Sequence, residues 1–230
     1  MEKEEFYLIE KLINDYGTMV SSICRRMMKH EEIAKDVAQE VWLEIIKSIH
    51  SFKGESKLST WIYTITYRVS LRFINNERLY TSKFLRQYFR KEEFKSSEFR
   101  DHDESIWVKE MCDKCLSGVL QCLNKENRLA YIFRDIVQLP YAEIATIFNK
   151  KEDSVRKIVS RSRRKLKNFL SSECILQNCN GKCKCRMKNL VIGVNLPQEY
   201  KKIRKIIGKA NLYFESNQIL PQYNYWNKYL

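Results

Sequence analysis

Two groups of side chains in this chain have the type and spacing to do chemistry. Residues 150 to 170 carry nine Lys or Arg against two acids, and four thiols, Cys174, Cys179, Cys183 and Cys185, fall within the next fifteen residues. Cations packed this densely suit an anionic polymer, because each Lys or Arg can neutralise one phosphate. The thiol spacing is C-x4-C-x3-C-x-C, with Gly181 available for a sharp bend. Four thiolates could close a tetrahedral structural zinc site, although the paired C-x2-C knuckles of zinc ribbons are missing. A thiol redox switch and no specific role stand beside zinc as readings of the same residues. Only three histidines occur, His30, His50 and His102. No nucleophile, base and orienter grouping and no phosphate-cradling glycine loop accompanies them, so the expectation is a protein that is not an enzyme and requires no cofactor.

The elements that must position these residues are helical. The 230 residues include only six Gly and three Pro, and 44% are hydrophobic, enough for packed cores joined by short connections. Forty-two Lys and Arg against 28 Asp and Glu leave a net charge of +14, the footprint of a nucleic-acid partner, with an anionic membrane surface as the runner-up. The opening MEKEEF lacks a basic segment followed by an apolar one, and no apolar run approaches the roughly 20 residues that span a bilayer. A cytoplasmic location without membrane insertion is therefore expected. In such a compartment the eight cysteines are reduced, metal-bound or redox-active rather than paired in structural disulfides.

Residues 31 to 50 place Ile33, Val37, Val41, Ile45 and Ile49 at four-residue steps, which makes one helical stripe widened by Ala34, Ala38, Trp42 and Ile46. The opposite face sets Leu43 among Asp36, Gln39, Glu40 and Lys47. An isolated exposed Leu is ordinary, but one ringed by polar groups also fits a protein-docking spot. A polar loop, Lys53-Gly54-Glu55-Ser56, separates Phe52 from the next helix. That helix starts near Leu58 with Ser56 or Ser59 as its cap, buries Leu58, Trp61, Ile62, Ile65 and Val69, and shows Tyr63, Tyr67 and Arg68 on its other face. Rings interleaved with Lys53, Lys57, Arg68 and Arg72 suit unstacked bases on π-faces with cations on the backbone.

From Asn75 to Ser105 the periodicity fades into a linker with an acidic end at Glu98, Asp101, Asp103 and Glu104. Periodicity returns at Ile106, and residues 125 to 137 predict a helix capped by Asn124. A short helix from Tyr141 to Phe148, with Ile144, Ala145 and Phe148 inward, meets Asn149, which suits a left-handed turn. A second helix follows with Val155, Ile158, Val159 and Leu166 inward. This is a helix-turn-helix pattern. Glu152 and Asp153 sit where the helix dipole favours acids. Ser154, Arg156, Lys157, Ser160, Arg161 and Arg164 then face where a recognition helix meets the major groove.

These residues together resemble a bacterial RNA polymerase sigma factor of the extracytoplasmic-function type, a two-domain member of the sigma-70 family. The likeness covers roughly residues 5 to 170. A region-two pattern D-x-x-Q-E-x-(aromatic), then F-x-G-E-S, then T-W-(I/L)-Y-x-I is met by Asp36-Val-Ala-Gln39-Glu40-Val-Trp42, by Phe52-Lys-Gly54-Glu55-Ser56 and by Thr60-Trp61-Ile62-Tyr63-Thr-Ile65. The region-four pattern is met by Tyr141-Ala-Glu143-Ile144-Ala145, Ser154-Val155 and Arg161-Ser-Arg163-Arg164-Lys165-Leu166, with Asn149 and Lys150 where the family usually has Gly and an aliphatic residue.

The resemblance implies an all-α fold of two helical domains joined by a flexible linker. Region two would span 1–78, the linker 79–105, region four 106–172, and a Cys-rich basic and aromatic extension 173–230. Asp36, Gln39, Glu40 and Leu43 would dock on core RNA polymerase. Phe52, Lys53, Gly54, Ser56, Lys57, Trp61, Tyr63, Tyr67 and Arg68 would capture the melted minus-ten strand, with a base flipped into the pocket of the loop. Ser154, Arg156, Lys157, Ser160, Arg161, Arg163 and Arg164 would read the minus-thirty-five duplex. An anti-sigma factor is a further expected partner. Cys112, Cys115 and Cys122 read as small buried hydrophobes. Two competing readings are a polymerase-independent operator-binding regulator using the same helix-turn-helix, and an interaction protein governed by metal or thiol state.

Overall fold

The computed structural model describes residues 3–74, 79–81, 117–174, 178 and 180–181. Among them every regular element is helical: α1 (Lys3–Met27), α2 (Glu31–Ser48), α3 (Leu58–Phe73), α4 (Lys125–Tyr131), α5 (Tyr141–Phe148) and α6 (Glu152–Glu173). A single 3-10 turn, Ile49–Ser51, follows α2, and a π-helical stretch, Ile132–Ile136, continues α4. The expected all-α class is met. The linker beyond Thr81, Cys112, Cys115, Cys179, Cys183, Cys185 and nearly all of the C-terminal extension lie outside the described residues.

Apolar periodicity builds the first three helices into a bundle. Val20, Ile23 and Met27 of α1, Val37, Val41 and Ile45 of α2, and Ile62 and Val69 of α3 are buried together. Each such side chain contributes about 1.5–3 kcal/mol through removal from water. The expected stripe of α2 holds at its centre and frays at its ends, where Ile33 is exposed and Ile49 half-buried. In α3, Leu58, Trp61 and Ile65 are half-buried instead of buried. Its buried polar residue Thr66 donates to the Ile62 carbonyl at 2.9 Å, so the hydroxyl needs no partner outside the helix.

The described residues fall into two compact units. The first joins α1, α2 and α3 to α4, the π-helical stretch, α5 and the start of α6 up to Val159; the second holds residues 117–124 and α6 from Ser160 onward. Within the first unit α4 supplies cations to two helix ends. The buried Arg128 donates from Nη1 to the Met27 carbonyl, the last residue of α1, at 2.5 Å, and Lys125 Nζ donates to the Ile74 carbonyl just after α3, at 3.3 Å. Unpaired terminal carbonyls and the negative end of the helix dipole make both positions attractive to a cation. Tyr63 packs on Phe133 with centroids 6.0 Å apart, Tyr67 on Phe148 at 4.5 Å, and Phe133 on Phe148 at 6.0 Å.

The π-helical stretch is where the 125–137 helix departs from regular geometry. Val137 N–H donates to the Ile132 carbonyl at 2.9 Å, one residue wider than an α-helical bond, and Gln138 then takes a positive φ of 63° before α5. In the second unit Val119, Leu120, Cys122 and Leu123 are buried, Lys165 Nζ donates to the Cys122 carbonyl at 2.7 Å, and Leu166 and Leu170 close the α6 side. The expectation that Cys122 acts as a small core hydrophobe is met.

Burial pushes the Tyr63 phenol up to about 12, with Tyr16 and the Glu143 carboxylate adding to the shift. The neutral phenol is the form the fold accepts. Its contribution is therefore intact below pH 10 and is lost as pH rises from about 10 towards 12. Tyr63→Phe removes that ionisation, and its alkaline unfolding midpoint, followed by circular dichroism, is expected at higher pH than that of the unmodified protein.

Candidate nucleic-acid interface

The helix-turn-helix is built locally. In α5, Ile144, Ala145, Ile147 and Phe148 are buried, one more residue than the inward face expected from periodicity. Asn149 ends the helix with φ 50° and ψ 50°, the left-handed conformation expected of it. The helix end is closed by Lys150 N–H donating to the Ala145 carbonyl at 2.9 Å and Asn149 N–H to the Thr146 carbonyl at 3.2 Å. Asn thus fills a turn in which the sigma pattern usually has Gly, because a short side chain tolerates positive φ. α6 then begins at Glu152, with Val155 and Val159 fully buried and Ile158 half-buried.

The outward face of α6 carries the expected cations. Ser154, Arg156, Lys157, Ser160, Arg161 and Arg164 are all exposed, and Arg163 is half-buried. Arg156 is held on two sides. Its guanidinium lies 4.3 Å from the Tyr141 ring centroid and pairs with Glu152 one turn earlier. Arg134 also sits over Tyr141, at 4.5 Å, while donating to the Leu139 carbonyl at 2.8 Å. Tyr141 and Arg134 were not singled out as site residues from sequence; Tyr141 stands in the quoted region-four motif, and an aromatic ring opposite an Arg-rich helix is the signal that marks it. A shallow, open concavity of about 440 Å³ beside the turn is lined by Ala145, Thr146, Asn149, Lys150 and Lys151.

The second set of expected DNA residues lies around the loop before α3. Lys53, Gly54, Ser56 and Lys57 are exposed, and Phe52 packs on Trp61 with centroids 5.4 Å apart. Gly54 has φ 73°, and nothing lies within 4 Å of a Cβ placed there, so its glycine answers a backbone demand and not crowding. Neither Ser56 nor Ser59 caps α3. Lys57 is the N-cap residue, in extended conformation and without a side-chain bond to the helix amides, so the first amides of α3 are left without the expected hydroxyl. Arg68 is exposed and Tyr67 half-buried, but Tyr63 is buried. The expectation of Tyr63 on the open face is corrected by its contacts, since Phe133 covers its ring. Lys57 Nζ lies 2.5 Å from Glu143 Oε1, and Thr60 Oγ1 donates to Glu143 Oε2 at 3.3 Å.

On α2, Leu43 is 48% exposed, with Asp36 and Gln39 exposed beside it. Glu40 lies 3.5 Å and Glu44 3.3 Å from Arg72 of α3, which fixes the acidic edge of this face. Of the four C-terminal thiols only Cys174 is described, and it is half-buried. Among the described residues no group of three or more His, Cys, Asp or Glu is gathered for a metal.

Two family patterns match the chain: sigma-70 region 2 over residues 12–79 and sigma-70 region 4 over residues 113–166. The chain belongs to the sigma-70 family, extracytoplasmic-function type. It is similar to RNA polymerase sigma factor YlaC of Bacillus subtilis, with 26% identity over 71% of this chain and 92% of that protein. It is also similar to the ECF RNA polymerase sigma-E factor of Escherichia coli K12, with 23% identity over 68% of this chain and 83% of that protein. The solved structure of CnrH in complex with the cytosolic domain of CnrY shares the fold, with a TM-score of 0.52 and 15% identity over 71% of this chain and 87% of that one. Every regular element described within the matched stretches is helical, and the stretches carry the sigma region 2 and region 4 patterns.

The turn generates a direct test. Asn149→Val puts a β-branched residue at φ 50° and is expected to cost about 1–2 kcal/mol, read as a lower melting temperature, whereas Asn149→Gly is expected to leave stability unchanged or raised.

Proposed function

We propose that this sigma factor binds core RNA polymerase, reads the minus-thirty-five element as duplex and captures the minus-ten element as melted strand. The observation that carries the reading is the α6 surface: Ser154, Arg156, Lys157, Ser160, Arg161 and Arg164 are exposed on one helix, behind a closed left-handed turn. Its first residues meet base edges and its later cations meet phosphates. Arg156, held by Tyr141 and Glu152, loses little freedom when it engages a base, which favours discrimination at that position.

Docking on polymerase falls to Asp36, Gln39, Glu40 and Leu43. An exposed Leu inside an acidic rim has the form of an interface anchor, with apolar burial at its centre and charge at its edge. Strand capture falls to the loop from Phe52 to Lys57 with Trp61 behind it, and to Tyr67 and Arg68 farther along α3. Extruding a base costs a few kcal/mol, which stacking on an aromatic ring offsets by about 1–3 kcal/mol. Phosphodiester synthesis belongs to the polymerase, and this chain contributes no catalytic group and needs no cofactor for its part. A zinc ion at Cys174, Cys179, Cys183 and Cys185 would be structural, and its support is their spacing. An anti-sigma factor is a proposed regulator, and the cytoplasm the proposed site of action. Among the described residues no helix is long and apolar enough to cross a membrane.

Transcription of a genomic fragment library by core polymerase, with and without this protein, tests the reading. New start sites sharing two spaced upstream elements are expected; no new initiation would overturn it. Leu43→Arg is expected to weaken polymerase binding by at least about thirtyfold with an unchanged helical spectrum. Arg164→Ala is expected to weaken promoter binding by the holoenzyme across sequences and to lower the slope of log affinity against log salt by about 1.

A further inference from the structure

The ring that steadies Arg156 is itself held by a second cation. Arg134 stands in the π-helical stretch, and its Nη1 donates to the Leu139 carbonyl at 2.8 Å. The backbone around that carbonyl is closed on itself: Gln138 turns the chain at a φ of 63°, and the Leu139 N–H returns to the Phe133 carbonyl at 2.9 Å. From this anchored position the Arg134 guanidinium lies 4.5 Å from the Tyr141 ring centroid, and Arg156 of α6 lies 4.3 Å from the same centroid. Arg134 is half-buried, whereas the Arg156 side chain is 54% exposed. One ring thus joins a cation that the turn fixes to a cation on the open face of the recognition helix.

We propose that Arg134 is a positioning residue for base discrimination: it fixes the Tyr141 ring, the ring fixes Arg156, and the selectivity of Arg156 depends on a side chain that does not touch the base. Resting on the minus-thirty-five reading above, this role adds to it a residue, Arg134, that the reading itself does not use. A free Arg side chain samples many rotamers and loses that freedom when it engages a base, whereas one already lying on a ring gives up less. A guanidinium over an aromatic ring at a partly exposed site is only modestly attracted, and so is an exposed pair such as Arg156 with Glu152. Neither restraint is strong alone, so the direction in which Arg156 points depends on a ring that does not swing. The competing role for Arg134 is a direct contact to backbone phosphate. The two roles separate experimentally, because a lost phosphate contact weakens all sequences alike and lowers the salt slope, while a lost positioning residue changes discrimination and leaves the slope as it was.

The free protein reports the relay without DNA. Ring current moves the Nε–H proton of a guanidinium lying over an aromatic ring upfield. In the full-length protein with nitrogen-labelled arginine, the Arg156 signal, assigned by its loss in Arg156→Lys, is therefore expected upfield of the normal arginine position. Arg134→Met is expected to shift it back towards that position and Tyr141→Leu to abolish the displacement, while Tyr141→Phe, which keeps the ring, preserves it. Recognition is read by holoenzyme binding to labelled promoter duplexes recovered from the library, with single base-pair changes across the minus-thirty-five element. At the position where Arg156→Ala loses discrimination, Arg134→Met is expected to lower the preference by about two- to fivefold. The salt slope is expected to stay unchanged, and Arg134→Met to add no further loss of preference in the Arg156→Ala background. Tyr141→Phe is expected to keep the preference and Tyr141→Leu to lose it, which tests the ring apart from any effect of Arg134→Met on the turn. An Arg156 signal unmoved by Arg134→Met, or a salt slope lowered by about 1 with discrimination intact, would overturn the relay and leave the minus-thirty-five reading standing. Initiation with no base preference lost in Arg156→Ala would overturn the relay at its last step. No initiation from the library by wild type would instead overturn the minus-thirty-five reading itself.

Discussion

The first unit depends on a requirement that every helix carries: its last carbonyls need donors. α1 ends at Met27 and α3 at Phe73, and α4 meets both ends with cations, Arg128 on the Met27 carbonyl and Lys125 on the Ile74 carbonyl. Arg128 is fully buried, and a guanidinium in that position is tolerated only with acceptors in place. These bonds tie the segment after residue 124 to the bundle before residue 75. The aromatic contacts of Tyr63 and Tyr67 with Phe133 and Phe148 fill the space that the tie encloses.

The distribution of charge follows from the same division of labour. The buried Arg128 and the exposed Lys125 terminate helices, and the exposed Lys165 reaches back to the Cys122 carbonyl. Cations on the outer face of α6 stand toward solvent, and of the two acids in its first turn Glu152 pairs with Arg156 without covering the remainder of the face. The burial that raises the Tyr63 phenol also raises the Cys24 thiol to about 12, so Cys24 serves as packing and not as a nucleophile.

Much of the helix-turn-helix was legible because each of its features is local. The apolar spacing of Ile144, Ala145, Phe148, Val155 and Val159, the short polar Asn149 and the acids at the start of α6 act within one or two turns of where they stand. The same holds for Leu43 on its polar face. Less was legible in α3. Periodicity gives Tyr63 and Ile62 adjacent positions on a helix but does not say which neighbour covers which ring, and the hydroxyl cap expected from Ser56 or Ser59 yielded to an extended Lys57 held by a distant acid.

The sequence by itself determined the helical class, the recognition helix, the turn that presents it and the family, because those follow from periodicity, backbone preference and motifs read along the chain. Only the tertiary structure decided that Tyr63 is covered, that Tyr141 holds Arg156 and that Glu143 sits on Lys57. Lys57 and Glu143 lie 86 residues apart. Pairing at that separation depends on which helix ends find donors and which rings find space, and neither is written in the local pattern of either segment.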